Sequence, residues 1–187
     1  YIKDVLDLEF FNHMSHKPIE SLDFEGDYDL VGITGMTQQA TRAYEIAAMF
    51  RDRGIPVVMG GIHASMCPEE ALAHADAIVT GEAESVWARV LDDAMDGPLK
   101  PLYAGGQVTL EKTLPARHDL LPSGYHFGSI QTSRGCPLNC SFCSVSAFNG
   151  KVYRRRAIED IVAEMKLIRE EHVLIVDDNL IGTRRDH

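Results

Sequence analysis

Short apolar runs alternate with amphipathic stretches along the first half of the chain. Residues 29–35 form a compact apolar run that closes on Thr34 and Gly35, the pattern of a buried parallel strand. Residues 38–53 then read as a helix. Ala43, Ile46, Ala47 and Phe50 fall at i, i+3, i+4 and i+7, which places them on one stripe. Gly54 is a C-terminal stop for it. Residues 55–59 make the next strand and run into Gly60 and Gly61. Pro68 opens a short helix that reaches His74. Residues 77–80 are a third strand, closed by Gly81. A helix over 85–95 presents Val86, Val90 and Leu91 before Gly97 and Pro98 end it. Residues 1–11 carry Val5, Leu6, Leu8, Phe10 and Phe11, and periodicity leaves both strand and helix open there. Residues 12–28 are polar, a loop with room for one helical turn at 18–22.

The second half is patterned differently. Pro98, Pro101, Pro115 and Pro122 forbid long helices over 97–126. Residues 102–104 and 107–110 flank Gly105 and Gly106 as a small hairpin would. Residues 129–133 read as a strand, and Asn149 and Gly150 as a turn. Residues 157–171 read as a helix with Ile158, Ile161, Val162, Met165 and Ile168 on one face. Residues 173–176 are a strand that ends in Asp177, Asp178 and Asn179. The expected organisation is an α/β domain over 1–97, a linker over 98–126, and a second βα domain over 127–187.

Strand–helix alternation with short apolar strands predicts a doubly wound, Rossmann-like α/β sheet. Ligands of such sheets bind beyond the carboxyl ends of the strands. Here those ends carry Thr34 and Gly35, then Gly60, Gly61 and His63, then Gly81 and Glu82. Glycines there let a backbone approach a bulky ligand. No G-x-G-x-x-G opens a helix, which argues against a dinucleotide.

The chain has 187 residues, 45% of them hydrophobic, enough for real cores. Its net charge of −10 argues against a nucleic-acid partner, which calls for concentrated positive charge. No apolar run is long enough to span a bilayer, and no signal peptide is visible. Free thiols in an acidic chain fit a reducing cytoplasm. Tyr1 is not an initiator methionine and the chain stops just past a strand, so it reads as part of something longer with little activity of its own.

Three of the four cysteines, Cys136, Cys140 and Cys143, stand in the spacing C-x3-C-x2-C. Three thiolates so close can hold an iron–sulfur cubane with one iron left open. Zinc is the competing ligand, but a closed zinc site would have to recruit Cys67, His126 or His172 from a distance. The spacing is too tight for two independent disulfides.

The cysteine motif follows a short apolar strand and carries an aromatic residue, Phe142, just before its last cysteine. In this it resembles the radical S-adenosylmethionine (radical SAM) enzymes. The resemblance implies that Cys136, Cys140 and Cys143 hold a [4Fe–4S] cluster and that SAM chelates the fourth iron. It implies reductive cleavage of SAM to a 5′-deoxyadenosyl radical. Phe142 would lie against the adenosine. Asp177 or Asn179, standing where the family often has G-G-E, would contact SAM; the competing role for Asp178 and Asn179 is to cap the following turn. One of Arg154, Arg155 and Arg156 would approach the SAM carboxylate or the cluster, unless the run is a surface feature.

The string from Val58 to Ser65, followed by Pro68, Glu69, Glu70 and later by Gly81, Glu82, Ala83, Glu84, resembles the cobalamin-binding domain in front of many radical SAM domains. Thr34, Gly60, Gly61, His63, Gly81 and Glu82 would then line the cobalamin site. The D-x-H-x-x-G motif is absent, so His63 is not assigned to cobalt. The second domain would be the opening of a partial (β/α) barrel. The implied outcome is methyl transfer, or carbon–carbon bond or ring formation, on an unactivated carbon of a small-molecule substrate. A flavodoxin or ferredoxin would supply electrons. Two alternatives stand beside it. One is a radical SAM enzyme without cobalamin, such as a methylthiolase. The other is a non-enzymatic cobalamin- or zinc-binding module.

Overall fold

Four short strands build the first sheet, the first three rich in β-branched or small residues. They are β1 (Val31–Thr34), β2 (Val57–Gly60), β3 (Ala77–Thr80) and β4 (Leu102–Ala104). The structure is a computed structural model and describes Ile19, residues 22–121 and residues 126–181. The expectation for residues 1–11 lies outside them. The chain divides into two compact units, Tyr1–Val108 and Thr109–His187.

In the first unit all pairings are parallel and the strand order is β1-β2-β3-β4. Alternation along the strands sends side chains to two faces. Val31, Ile33, Val57, Met59 and Ile78 join one core with Ala43, Ile46, Ala47 and Phe50 of α1 (Ala40–Arg51). That core also takes Ala64 of α2 (Gly61–Met66) and Ala71 of α3 (Pro68–Leu72). Val58, Ala77, Val79 and Tyr103 point the other way, against Val86 and against Val90 of α4 (Trp87–Asp96). Helices on both faces of a parallel sheet make this a doubly wound, Rossmann-like α/β unit. Phe50 is 1% exposed, and burying such a side chain contributes about 1.5–3 kcal/mol.

Three details differ from the sequence reading. Residues 61–66 form α2, where a strand end was expected. Residues 102–110 do not form a hairpin: β4 is the fourth parallel strand, so 102–104 belongs to the first unit's sheet and not to a linker. Tyr103 explains this. Its ring is fully buried, and its hydroxyl donates to Asp93 Oδ2 (2.8 Å) and accepts from the Lys100 amide (3.0 Å). Leu91, expected in the core, is 40% exposed, because α4 turns only its Val90 side fully inward.

The second unit holds β5 (Phe127–Ile130), β6 (Ser133–Arg134), α5 (Val145–Phe148), β7 (Arg154–Arg155), α6 (Ile158–Met165) and β8 (His172–Ile175). β5 and β8 pair in parallel from Phe127↔His172 to Ile130↔Ile175, with α6 in the crossover. β6 and β7 pair antiparallel. The helix expected over 157–171 stops at Met165. Its buried residue is Glu164, while Ile158, Val162 and Met165 are exposed. Among the described residues no helix is long and apolar enough to cross a membrane.

Candidate functional site

The cysteine segment leaves the carboxyl end of β5 through Gln131 and Thr132. Gly135 takes φ +87°, and a Cβ there would lie 2.2 Å from the Val152 carbonyl oxygen, so only glycine fits. The next amide, of Cys136, donates to the Gly150 carbonyl (3.1 Å). Cys140 N donates to Leu138 O and Cys143 N to Cys140 O, so the motif winds as tight turns. All three thiols are free. Cys136 is buried, Cys143 half-buried and Cys140 exposed. Phe142 is 90% exposed.

The end of β8 closes on this segment. Asp177 Oδ1 accepts from the amides of Thr132 (2.6 Å) and Ser133 (3.1 Å). Its Oδ2 accepts from the hydroxyls of Thr132 and Ser133, the latter at 2.8 Å. Asp178 accepts from the Gly135 amide (2.8 Å) and from Asn149 Nδ2 (2.8 and 3.1 Å). Asn179 Nδ2 lies 3.5 Å from Cys136 Sγ, on the donor side of an N–H···S bond. Asp177 was expected to face SAM; its carboxylate is taken up by the chain's own loop.

The arginine run braces the same region. Arg154 Nη2 donates to Asn149 O (3.1 Å). Arg156 is buried. Its amide donates to Thr132 O, its Nη1 to Gln131 O (3.0 Å), and its Nη2 pairs with Glu164 Oε2 (2.5 Å). Glu164 Oε1 also meets His118 Nε2 (3.1 Å) and the Ala116 amide (3.3 Å). Burial pushes the Glu164 carboxyl up, but His118, Arg156 and the Ala116 amide outweigh it and hold the group below its usual range. Arg155 is exposed. Sequence reading missed Glu164, His118 and Asn149, because their partners are remote in the chain.

In the first unit the carboxyl edge gathers Thr34, Gly60, Gly61, Gly81 and Glu82. Gly61 has φ +86°, and a Cβ on it would lie 2.4 Å from Thr34 Oγ1. Ser65, which sequence reading did not single out, ties two of these turns together. Its hydroxyl donates to Gly61 O (2.8 Å) and accepts from the Gly81 amide (3.0 Å). Glu82 is buried, and its Oε2 accepts from the Val108 amide (2.8 Å). His63 turns away from the edge. Its Nε2 meets the Tyr44 hydroxyl (2.7 Å), which also donates to Glu70 (3.1 Å). Burial and then Glu70 push the Tyr44 phenol up to about 12.

Both sites can be weighed against the groups they would hold. Among the described residues no three His, Cys, Asp or Glu side chains are already gathered into a metal cage. The donor set nonetheless fits a three-cysteine cluster: free thiols on one short loop, with the first already fixed. At the other edge Thr34 is exposed and Gly60, Gly61 and Gly81 are half-exposed. Backbone and small side chains there fit the approach of a large flat group.

The chain therefore joins a doubly wound α/β unit to a βαβ unit that carries three free cysteines on one loop. Residues 3–91 match the family model described as B12 binding domain. The chain is 45% identical over 144 residues to the bacteriochlorophyllide d C-8(2)-methyltransferase of Chlorobaculum tepidum, covering 72% of this chain and 32% of that protein. It is 32% identical over 171 residues to the C-12(1)-methyltransferase of the same organism, covering 84% and 37%. It is 31% identical to the hopanoid C-2 methylase of Rhodopseudomonas palustris, covering 84% and 32%. The chain thus spans about a third of the length of the curated relatives it matches. Its fold is similar to that of TsrM from Kitasatospora setae, a radical SAM methyltransferase solved with cobalamin and a [4Fe–4S] cluster. The TM-score is 0.61 at 21% identity, over 87% of this chain and 40% of that one. The chain thus carries a B12 binding domain over residues 3–91 and is, over most of its length, a relative of these methyltransferases.

Proposed function

We propose that this chain is part of a cobalamin-dependent radical SAM methyltransferase acting on a carbon of a small-molecule substrate. The carrying observation is the loop with Cys136, Cys140 and Cys143 at the carboxyl end of β5, whose first cysteine is fixed by Gly150 and met by Asn179. The methyltransferase names of its relatives support the outcome. A cluster bound here would supply the single electron that cleaves SAM. Cys136, Cys140 and Cys143 would ligate it, and Phe142 offers a ring face to the adenosine. Asn179 stands close enough to Cys136 to face both. Thr34, Gly60, Gly61 and Gly81 would meet cobalamin at the sheet edge, with His63 and Glu82 shaping that edge from beneath. A small flavodoxin- or ferredoxin-like reductant and a reducing cytoplasm complete the reading. The divisions 1–97, 98–126 and 127–187 are its domain, linker and catalytic opening, with β4 drawn into the first.

Anaerobic reconstitution with ferrous iron and sulfide tests it. The expected product is brown and carries about four irons per chain. Replacing any one of the three cysteines by Ala should abolish the colour. A chain that binds zinc without sulfide would favour a non-enzymatic module instead. Added cobalamin should stay with the chain through gel filtration, and its loss there would leave a radical SAM enzyme without cobalamin.

A further inference from the structure

We propose that Asp177, Asp178 and Asn179 together are the positioning device of the cysteine loop, holding Cys136 in place before any cluster arrives. This rests on the three-cysteine reading above. The tripeptide follows β8 directly, and β8 is locked to β5 by parallel pairing and by the Val176 amide donating to Ile130 O (2.9 Å). The three side chains therefore project from a fixed strand end. Asp177 holds the start of the loop through both the amides and the hydroxyls of Thr132 and Ser133. Asp178 holds the Gly135 amide, one residue before the first cysteine, and reaches across to Asn149. Gly150 O, next in sequence to Asn149, takes the Cys136 amide. Asn179 then touches the Cys136 sulfur itself.

Two adjacent carboxylates, each half-buried, repel one another and lose solvation. That cost is offset only because backbone N–H and hydroxyl donors converge on them, and those donors belong to the loop. The arrangement makes β8 the template of the motif. These hydrogen bonds reach the motif at its first cysteine, with Cys140 and Cys143 on the turns beyond. The loop would close on its cluster from Cys136 outward.

The tripeptide also sets two opposed influences on a bound cluster. A nearby carboxylate disfavours the reduced, more negative state, and an N–H donor to a ligating sulfur favours it. Positioning by Asp178 and Asn179 can thus be told from mere support of the fold.

The test uses the whole chain and the variants D177N, D178N and N179L. In the metal-free chain, amide exchange at Thr132 and Ser133 should quicken about tenfold or more in D177N, as loss of charge-assisted hydrogen bonds requires. D178N should do the same at Gly135. The Val57 and Ile78 amides should not change. After anaerobic reconstitution, D177N and D178N should carry several-fold less iron and sulfide than the parent chain. N179L should also load less iron and sulfide, its cluster at a lower midpoint potential, and the residual cluster of D178N should show a higher one. Should D177N lose protection throughout the second unit, D178N and N179L decide. Variants that exchange, load and reduce like the parent overturn this inference and leave the cluster reading standing. A parent chain that takes up no iron and sulfide overturns both.

Discussion

The two units solve the same problem, ordering loops at strand ends, by opposite means. In the first unit the turns after β1, β2 and β3 are ordered by close backbone packing, with the uncharged Ser65 hydroxyl bridging two of them. A Cβ on Gly81 would lie 2.4 Å from Gly105 O, and one on Gly105 would lie 2.3 Å from Glu82 O. The sheet beneath them buries Val, Ile and Met on one face and Val, Ala and Tyr103 on the other. In the second unit β8 is only partly buried, and the loop is ordered by charge: Asp177, Asp178, and the His118–Glu164–Arg156 group. Backbone packing gives a rigid rim whose shape is fixed by sterics. Carboxylate bracing gives a loop whose order rests on hydrogen-bond donors converging on a few side-chain oxygens.

The sharpest way to break the comparison is to remove one member of each kind. Phe50→Ala should cost the first unit about 3–5 kcal/mol, read by urea unfolding, and leave exchange at Ser133 unchanged. Glu164→Ala should cost the second unit about 3–5 kcal/mol, because it strands Arg156 and His118 in a buried position. Exchange in β1–β3 should not respond.

Glycine replacements come next. Gly81→Ala should cost on the order of 1–3 kcal/mol, since its φ of +70° is unfavourable and its Cβ meets backbone. Gly54→Ala is the control. Its φ is +77° but nothing lies within 4 Å of its Cβ, so only the conformational cost of about 1 kcal/mol remains. Equal losses at the two sites would show that close packing does not order the rim.

Acid should separate the units more gently. Glu164 ionises below its unfolded value of about 4.3. Its contribution is therefore complete above that value and is lost as pH falls through the lower, folded one. Exchange in β5 and β8 should quicken over that window, and E164Q should flatten the response. The smallest effect is expected of Phe142→Ala, within about ±0.5 kcal/mol in unfolding, as for other exposed residues. Weaker retention of SAM by the reconstituted variant is its proposed functional signature.

Periodicity made the first unit legible. The stripe Ala43, Ile46, Ala47, Phe50 is the buried face of α1, and β3 spans 77–80 as its apolar run requires. β4 was obscured because only Tyr103 of its three residues is buried, so the strand carries almost no pattern. α2 was obscured because it opens on Gly60 and Gly61, which read as a strand terminus. In the second unit the apolar stripe of 157–171 misled. The helix is positioned by one buried carboxylate, whose partners at 116–118 and 156 no local pattern connects to it. The cysteines were visible as a spacing. The role of Asp177 was not, because its donors lie more than forty residues upstream in sequence.

The three thiols are unequally sheltered, from buried Cys136 through Cys143 to open Cys140. Attack by a dissolved oxidant or alkylating agent requires access. Ageing in air should therefore begin at Cys140, and a brief pulse of iodoacetamide should label it first. A sample aged only to the disulfide or sulfenic stage would recover Cys140 on gentle reduction before metal loading, with its innermost sulfur never lost, whereas the alkylated one would not.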